Sequence, residues 1–517
     1  MASKNINGNA NGSARPLNVA VVGGGIIGVM TAIGLRRRGI HAIIYERAQT
    51  WHEVSAGMAF TGAAREWMQQ IDPALVELLA NISQKTDAAS SNAYWNAYHP
   101  RTKEDAEDES KSLLFRIPVN NLDFWGCVRS QLLKGMADLL PEGAAVFGKQ
   151  LLNYIDDEQS GNVVLHFADG TTAEADVLLG CDGIHSVTRA VLLGADHPAS
   201  RAGFSHTVAY RTMVPIELGI KALGEKVAKS ACNHLGPNAD LLVYPVMSGT
   251  LLNMAVFAHE EAEFPDPDKM TVHVDRTEIQ KLFDGWSPQV ADIWKLYPEK
   301  VVKWGIFDLE ANPPPTYAGG RACLVGDAAH ASTPYLGVGA CTGVEDALVV
   351  CTLLESVQQK ALSGEALKEA LRDALQTYSA ARLDRGRWIH HHSRQMVDGV
   401  EILVDVGPDL AAQLVVAVAH LEGNVGVHVR GDAGLEEFFA GLVDRGEGAV
   451  ARVGNGVAVA QRRPGEFGGE RRAVLHHGCS GVSDRRELVN VEANVDSGSE
   501  KCWGSKSVVL EEWWSLL

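Results

Sequence analysis

Nowhere in the 517 residues do two cysteines form a C-x-x-C pair, and no Cys/His spacing suits zinc. A thioredoxin-like redox pair and a zinc module are therefore excluded. The eight thiols, at 127, 181, 232, 323, 341, 351, 479 and 502, read as reduced and mostly buried, as expected of a cytoplasmic protein. Positive charge is also scarce: 46 Lys and Arg stand against 64 Asp and Glu, for a formal net charge of -18. Nucleic acids and polybasic membrane contacts both need a cationic footprint, so neither partner is expected. Long apolar runs are missing too. The longest apolar window, Leu241 to Ala258, is broken by Pro245 and Ser248-Gly249-Thr250, and reads as strand, turn, strand with no membrane span. The opening "MASKNINGNANGSARP" lacks the apolar stretch of a signal peptide and is expected to be a disordered leader over residues 1–15. From Val404 onward there is no Ile, Tyr, Thr or Met, and no Lys lies between Glu369 and Glu500. Such a shift is foreign to an ordinary domain. Residues 406–517 are thus expected to be an atypical tail without a functional element, either poorly ordered or from a shifted or misspliced reading frame.

What is present begins with "LNVAVVGGGIIGVMTAIGLRRRGIHAIIYER", Leu17 to Arg47. The run Val19 to Val22 has the continuous apolar character of a central parallel strand. Ile26 to Arg38 follows as a helix and Ala42 to Tyr45 as the next strand. Gly23, Gly25 and Gly28 make G-x-G-x-x-G at the turn, and Glu46 ends the second strand. Gly23 allows the tight turn, Gly25 lets a pyrophosphate approach the backbone, and Gly28 lets helix and sheet pack closely. The helix N-terminus faces the phosphates and Glu46 accepts from ribose hydroxyls. The spacing leaves open whether the dinucleotide is a passing NAD or a resident FAD.

Two later stretches decide between them. "LLGCDGIHSVTR" ends a strand at Cys181-Asp182-Gly183, and "CLVGDAAHASTPYLGVGACTGVEDA" ends another at Gly326-Asp327. A dehydrogenase has no use for a third strand-end aspartate some 300 residues from its glycine loop. The ribityl chain and ring system of FAD reach that far, so FAD is the expected cofactor. Gly337, Gly339 and Gly343 are read as a loop before a helix running from about Val344 to Glu355. The N–H groups at Gly337, Gly339 and Ala340 would meet the flavin's anionic edge. A helix is expected from Leu122 to Leu140, a solvated loop at Lys103 to Ser110, and a hairpin turning at Asp169-Gly170. Between Phe204 and Trp304, apolar stretches separated by turn signals suggest a mostly antiparallel sheet.

These motifs resemble the group A flavoprotein monooxygenases, the aromatic hydroxylases that include salicylate hydroxylase, over roughly Leu17 to Met396. The resemblance implies an α/β fold, in which a Rossmann-like FAD-binding domain (16–199 and 306–405) carries an inserted, mostly antiparallel β-sheet substrate domain (200–305). It implies that Arg129, in "GCVRSQLL", contacts the FAD phosphates. Asp182 would support FAD and nicotinamide binding, Asp327 would hold the ribityl hydroxyls, and NADPH or NADH would serve as a transient co-substrate. The family usually has an Asn in the last glycine stretch, where this chain places Cys341 or Thr342. No metal is required, and the chain carries no sign of its oligomeric state. His330 could line the cavity or be a structural histidine.

For the substrate, "VAYRTMVP" puts Tyr210 and Arg211 on one strand and "LLVYPVM" puts Tyr244 on another. Neighbours on a strand point to opposite faces, so one of Tyr210 and Arg211 faces the cavity. An electron-rich ring reacts best as phenolate, which a guanidinium favours. The surroundings of Arg211 and Tyr244 are similar to those of fungal polyketide hydroxylases of tropolone and azaphilone pathways, where an equivalent pair anchors the phenolate. The expected reaction is hydroxylation of a small phenolic substrate with O2, with ring dearomatisation when the attacked carbon is substituted. Decarboxylating hydroxylation of a salicylate, a flavin oxidoreductase and a non-catalytic flavoprotein are the alternatives.

Overall fold

The computed structural model describes residues 15–51, 57–83, 94–98, 113–118, 125–236, 239–266, 269–286 and 288–406, with four short strands beyond. The leader, the charged run 103–110 and most of the tail lie outside the described residues. Strand Asn18–Val22 sits inside a six-stranded sheet, parallel to His41–Glu46 on one side and Val177–Gly180 on the other. Ala322–Leu324 extends the sheet in parallel beyond Val177–Gly180, and Ala145–Phe147 extends it beyond His41–Glu46.

Alternation along the first strand explains the layers. Val19 and Val21 face a helical layer that includes Ile26–Arg37 and Gly339–Gln359, while Ala20 and Val22 face Leu151, Val163 and Phe167 of a three-stranded antiparallel sheet. Both faces are dry, as the apolar sequence of a central parallel strand requires. Register then aligns the strand ends: Val22 lies opposite Tyr45 and Gly180, and Gly180 opposite Leu324. The turns that follow, bearing Gly23, Glu46, Asp182 and Asp327, therefore share one edge of the sheet. Ligands of open α/β sheets bind at that carboxyl edge.

The second sheet is built from Gly203–Pro215, Ala239–Val246, Leu251–His259, Thr271–Asp275 and Lys300–Asp308, all paired antiparallel. Its last strand extends three residues past the expected boundary at 305. The sheet also recruits Tyr94–Tyr98 and Leu113–Pro118, so it is not made from one continuous segment. The expected strand, turn, strand over 241–258 is present, with its turn at Met247 to Thr250 closed by the Gly249 N–H donating to Val246 O at 3.1 Å.

Two local expectations are corrected. Trp125–Val128 is a strand paired with Gly57–Phe60, and the helix starts only at Arg129. Cross-strand pairing of the buried Trp125-to-Val128 stretch overrides its helical spacing. The helix expected from Val344 spans Gly339–Gln359, so Gly339 and Gly343 are helical and only Gly337 keeps a left-handed turn, with φ 67. Gly343 is small for packing: a Cβ there would lie 2.6 Å from Ile27 Cγ1 of the first helix. Among the described residues, no helix is long and apolar enough to cross a membrane.

Candidate active site

The glycine turn is set by contacts with the second motif. Gly23 has φ 104, and a Cβ on it would lie 2.3 Å from the Cys181 carbonyl oxygen. Gly28 is even tighter, with a Cβ falling 2.0 Å from Gly23 O. The G-x-G-x-x-G turn and the Cys181-Asp182 strand end thus pack backbone to backbone. Gly25 starts the first helix, and the Arg129 guanidinium comes within 4.0 Å of where a Gly25 Cβ would stand. Helix N–H groups and a guanidinium converging on one bare turn suit a pyrophosphate. Glu46 is held in place by two backbone donors, Gly24 N–H at 2.6 Å and Ala48 N–H at 2.7 Å.

Asp182 accepts from Ser186 Oγ at 2.6 Å and from Thr188 N–H at 2.9 Å, which caps the following turn. Arg189, buried, fastens this segment to the third motif by donating to Ile184 O, Ala199 O and Ala328 O. Burial lowers its guanidinium pKa to about 10, with Asp182 and Asp327 pulling the other way. Asp327 is exposed at the start of the short helix Asp327–His330. Beyond it, Gly337 and Gly339 have nothing within 4 Å of a built Cβ, so their backbone faces open space ahead of a 21-residue helix. Bare backbone at the turn and at this second helix start, with an oriented acid between them, fits a dinucleotide as long as FAD.

His330, read from the sequence as either lining the cavity or structural, lies inside the fold. It is 1% exposed, and its Nε2 lies 2.6 Å from Asp346 Oδ2. The same Oδ2 accepts from Gly326 N–H at 2.9 Å, and Oδ1 accepts from Arg382 Nε at 2.6 Å. Burial opposes the Asp346 charge, but His330 and Arg382 outweigh it and hold the carboxyl down at about 2. Asp346 and Arg382 were not singled out from sequence. The available signal was Glu345-Asp346 inside an apolar helical run, where an acid must be paired.

The second sheet brings Arg211 and Tyr244 together. Arg211 and Leu242 both lie opposite Ala255, while Tyr244 lies opposite Asn253 on the same face. Tyr210 lies on the other face, buried against Ile279, Phe283 and Ile293 of the distal helices. Arg211 thus belongs to the face where Ala209, Ala255, Phe257 and Trp304 meet Tyr335 from the stretch preceding Gly337. Its guanidinium carbon sits 6.0 Å from the Trp304 ring centroid. Burial lowers the Arg211 pKa; Tyr244 counteracts this and Arg129 adds to it, so the three groups sense one another. Burial pushes the Tyr244 phenol up to about 12, with Arg211 opposing, so it stays a proton donor at neutral pH. A Cβ on Gly57 would stand 2.7 Å from the Tyr244 hydroxyl and 2.7 Å from Asn253 Oδ1, which accepts from Gly57 N–H at 3.2 Å.

On the same face, Asp240 is buried and accepts from the Tyr335 hydroxyl at 3.1 Å. Burial raises its carboxyl to about 7, against the opposing hydrogen bonds of Tyr335 and Asn233. Sequence reading passed over Asp240, since an acid at a strand start usually faces water. Among the described residues no group of three His, Cys, Asp or Glu is placed to hold a metal.

A family model described as "FAD binding domain" matches residues 16–393. An FAD-dependent monooxygenase of Aspergillus terreus is 47% identical over 383 residues, covering 74% of this chain and 87% of the relative. A salicylate hydroxylase of Sarocladium schorii is 38% identical over 400 residues, covering 74% and 82%. Among solved structures, a salicylate hydroxylase substrate complex has TM-score 0.65 and 26% identity, over 79% of this chain and 94% of that one.

Proposed function

This chain belongs to the FAD binding domain family, and from that premise we propose that it hydroxylates a phenolic, polyketide-derived substrate with NAD(P)H and O2. In this reading the 16–199 and 306–405 portion holds FAD and the inserted strands carry the substrate. The observation that carries it is the pairing of Arg211 and Tyr244 on the sheet face turned toward the Gly337 stretch. FAD, when bound, supplies the redox chemistry that activates dioxygen. Gly23, Gly25, Gly28, Glu46, Arg129, Asp182 and Asp327 would hold it, with the backbone of Gly337, Gly339 and Ala340 at its ring.

The chain's own residues would prepare the ring for attack. Arg211, desolvated beside Trp304, favours the phenolate over the phenol because an anion offsets its buried charge. Tyr244 retains its proton and donates to the same oxygen, fixing the ring's rotation. Charge-assisted hydrogen bonds of this type contribute about 1.5–3 kcal/mol each. The apolar wall of Ala209, Ala255 and Phe257 keeps water from the ring. His330 has no part in contacting substrate here; it positions the Gly326-Asp327 turn through Asp346.

The test is a screen of resorcinol-type aldehydes and ketones under labelled oxygen, with NADH and NADPH supplied in turn. One labelled oxygen atom in the product is expected. Loss of carbon dioxide from salicylates alone would replace this reading with decarboxylating hydroxylation. Reductant consumed with all oxygen released as peroxide, for every phenol, would replace it with an oxidase.

Gly57→Ala provides an independent check on the pocket. The added methyl meets two polar atoms at 2.7 Å and must displace Tyr244 or Asn253. Phenol affinity should drop about tenfold or more, the loss of one hydrogen bond of about 1.5 kcal/mol. FAD content should stay at the wild-type level, because the added methyl meets Asn253 and Tyr244 and not Arg129, although Gly57 pairs with Val128 just before it. Phenol titration followed by flavin absorbance reads both.

A further inference from the structure

The Pro334–Leu336 turn stands between the two halves of the site. It follows the Asp327 helix and leads directly into Gly337 and the helix Gly339–Gln359. One side of this turn is fastened to the long helix Gly364–Val406: the Thr333 backbone oxygen accepts from Ser393 Oγ at 2.6 Å, and the two hydroxyls lie 2.7 Å apart. The other side is fastened to the substrate sheet through Tyr335, whose hydroxyl donates to Asp240 Oδ1. The Tyr335 ring also packs on Phe257, with centroids 5.5 Å apart. Phe257 is opposite Asp240 on the neighbouring strand, so ring and hydroxyl grip adjacent points of one face.

That face is the one bearing Arg211 and Tyr244. Asp240 and Tyr244 are on the same strand, four residues apart, which is about 13 Å along it. A buried carboxylate needs partners, and Asp240 is only 3% exposed. Its location at the end of the substrate strand is therefore costly unless it holds something. Asn233, on the neighbouring strand, is one partner; the other is Tyr335, and through it Asp240 holds the turn whose bare backbone at Gly337 and Gly339 opens toward the cofactor position.

We propose that Asp240, acting through Tyr335, is a positioning residue that sets the cofactor-facing Gly337–Gly339 backbone relative to the substrate face carrying Arg211 and Tyr244. The inference rests on the monooxygenase reading and extends it. Its consequence is on efficiency rather than capture. When the link is cut, phenol still binds Arg211 and Tyr244, but the ring no longer keeps its distance from the cofactor. Reductant is then oxidised with oxygen ending as peroxide in place of product.

Two variants of the full-length holoenzyme separate the contributions. Tyr335→Phe keeps the ring on Phe257 and removes only the hydroxyl. Asp240→Asn keeps an oxygen able to accept from Tyr335 and serves as the conservative control. Three quantities are measured: bound FAD, the flavin absorbance change and Kd on titration with a phenol, and product formed per NAD(P)H consumed. For Tyr335→Phe, FAD content and phenol Kd should stay within threefold of wild type. The phenol-induced flavin absorbance change should shrink by at least half, and product per reductant should fall at least threefold. Asp240→Asn should lie between the two.

An unchanged absorbance response and unchanged product yield in Tyr335→Phe would overturn the proposal. So would a fall that merely tracks lost FAD or lost phenol affinity. If wild type forms no oxygenated product from any phenol, the phenol-hydroxylase reading fails. The absorbance response of Tyr335→Phe then decides the positioning role by itself.

Discussion

Asp346→Asn is expected to destabilise the protein by about 3–5 kcal/mol, lowering Tm by roughly 4–6 °C, and to weaken FAD binding at least tenfold. Removing one partner of a buried ion pair strands the other in a medium that solvates it poorly. Here the stranded group is Arg382, 3% exposed, although Glu345 still faces it, so the lower end of the range applies. The loss reaches the cofactor because Asp346 Oδ2 holds Gly326 N–H, and Gly326 precedes Asp327. An amide whose oxygen turns to Arg382 presents its NH2 to the Gly326 N–H, donor against donor. The pH dependence follows from the lowered carboxyl. A group at about 2 when folded and at its ordinary 3.8 when unfolded stabilises fully above about pH 4, and that stabilisation is lost as pH falls toward 2. Wild type should lose stability through this window more steeply than Asp346→Asn. Thermal melts from pH 2 to 7, with FAD titration of the apoprotein, check both parts. Equal melting curves for the two proteins would remove Asp346 from the account.

Arg211→Ala should lower kcat/KM for phenols by about 10–150-fold, the equivalent of one charge-assisted hydrogen bond of 1.5–3 kcal/mol. FAD content should not change, because Arg211 sits on the second sheet and not at the glycine turn. The pH profile is the more telling readout. With the guanidinium in place, the bound phenol ionises below its solution pKa. Without it, the acid limb of kcat, which reports ionisation in the bound complex, should move up by about 1–2 pH units, since each unit corresponds to 1.36 kcal/mol. Arg211→Lys keeps the charge but loses the planar fork, so its limb should move less while turnover still falls. Steady-state kinetics with a phenol of known pKa, from pH 6 to 10, makes the comparison. A wild-type profile in Arg211→Ala would transfer the anchoring role to another residue of the same face.

Much of the cofactor half was written locally. Gly23, Gly25, Gly28 and Glu46 fall within one βαβ unit, where strand, turn and helix fix their own spacing over a few residues. Asp182 and Asp327 were legible for the same reason, since each ends an apolar strand whose burial on both faces shows in its composition. The family match over residues 16–393 supports FAD as the bound cofactor. The local errors came where tertiary contacts outweighed local pattern. Trp125–Val128 became a strand because Gly57–Phe60 was there to pair with it. Gly343, which reads as a loop glycine, lies in the helix, where its missing side chain makes room for Ile27.

The substrate half divided differently. Period-two alternation determined that Tyr210 and Arg211 face opposite ways, but alternation has no sign. Which face is inward depends on what packs on each side, and that is a property of helices and turns far along the chain. Tyr210 lies against Ile279 and Phe283, which leaves Arg211 to the face shared with Tyr335. The pairs Asp240 with Tyr335, and Asp346 with His330 and Arg382, join residues 95, 16 and 36 positions apart. The dinucleotide turn and the strand-end acids were readable from the residues alone, because bonded geometry enforces those over short spans. Which sheet face packs on Tyr335, and which buried acids hold the turns, emerged only from the fold, because those choices follow from packing between layers that no local pattern encodes.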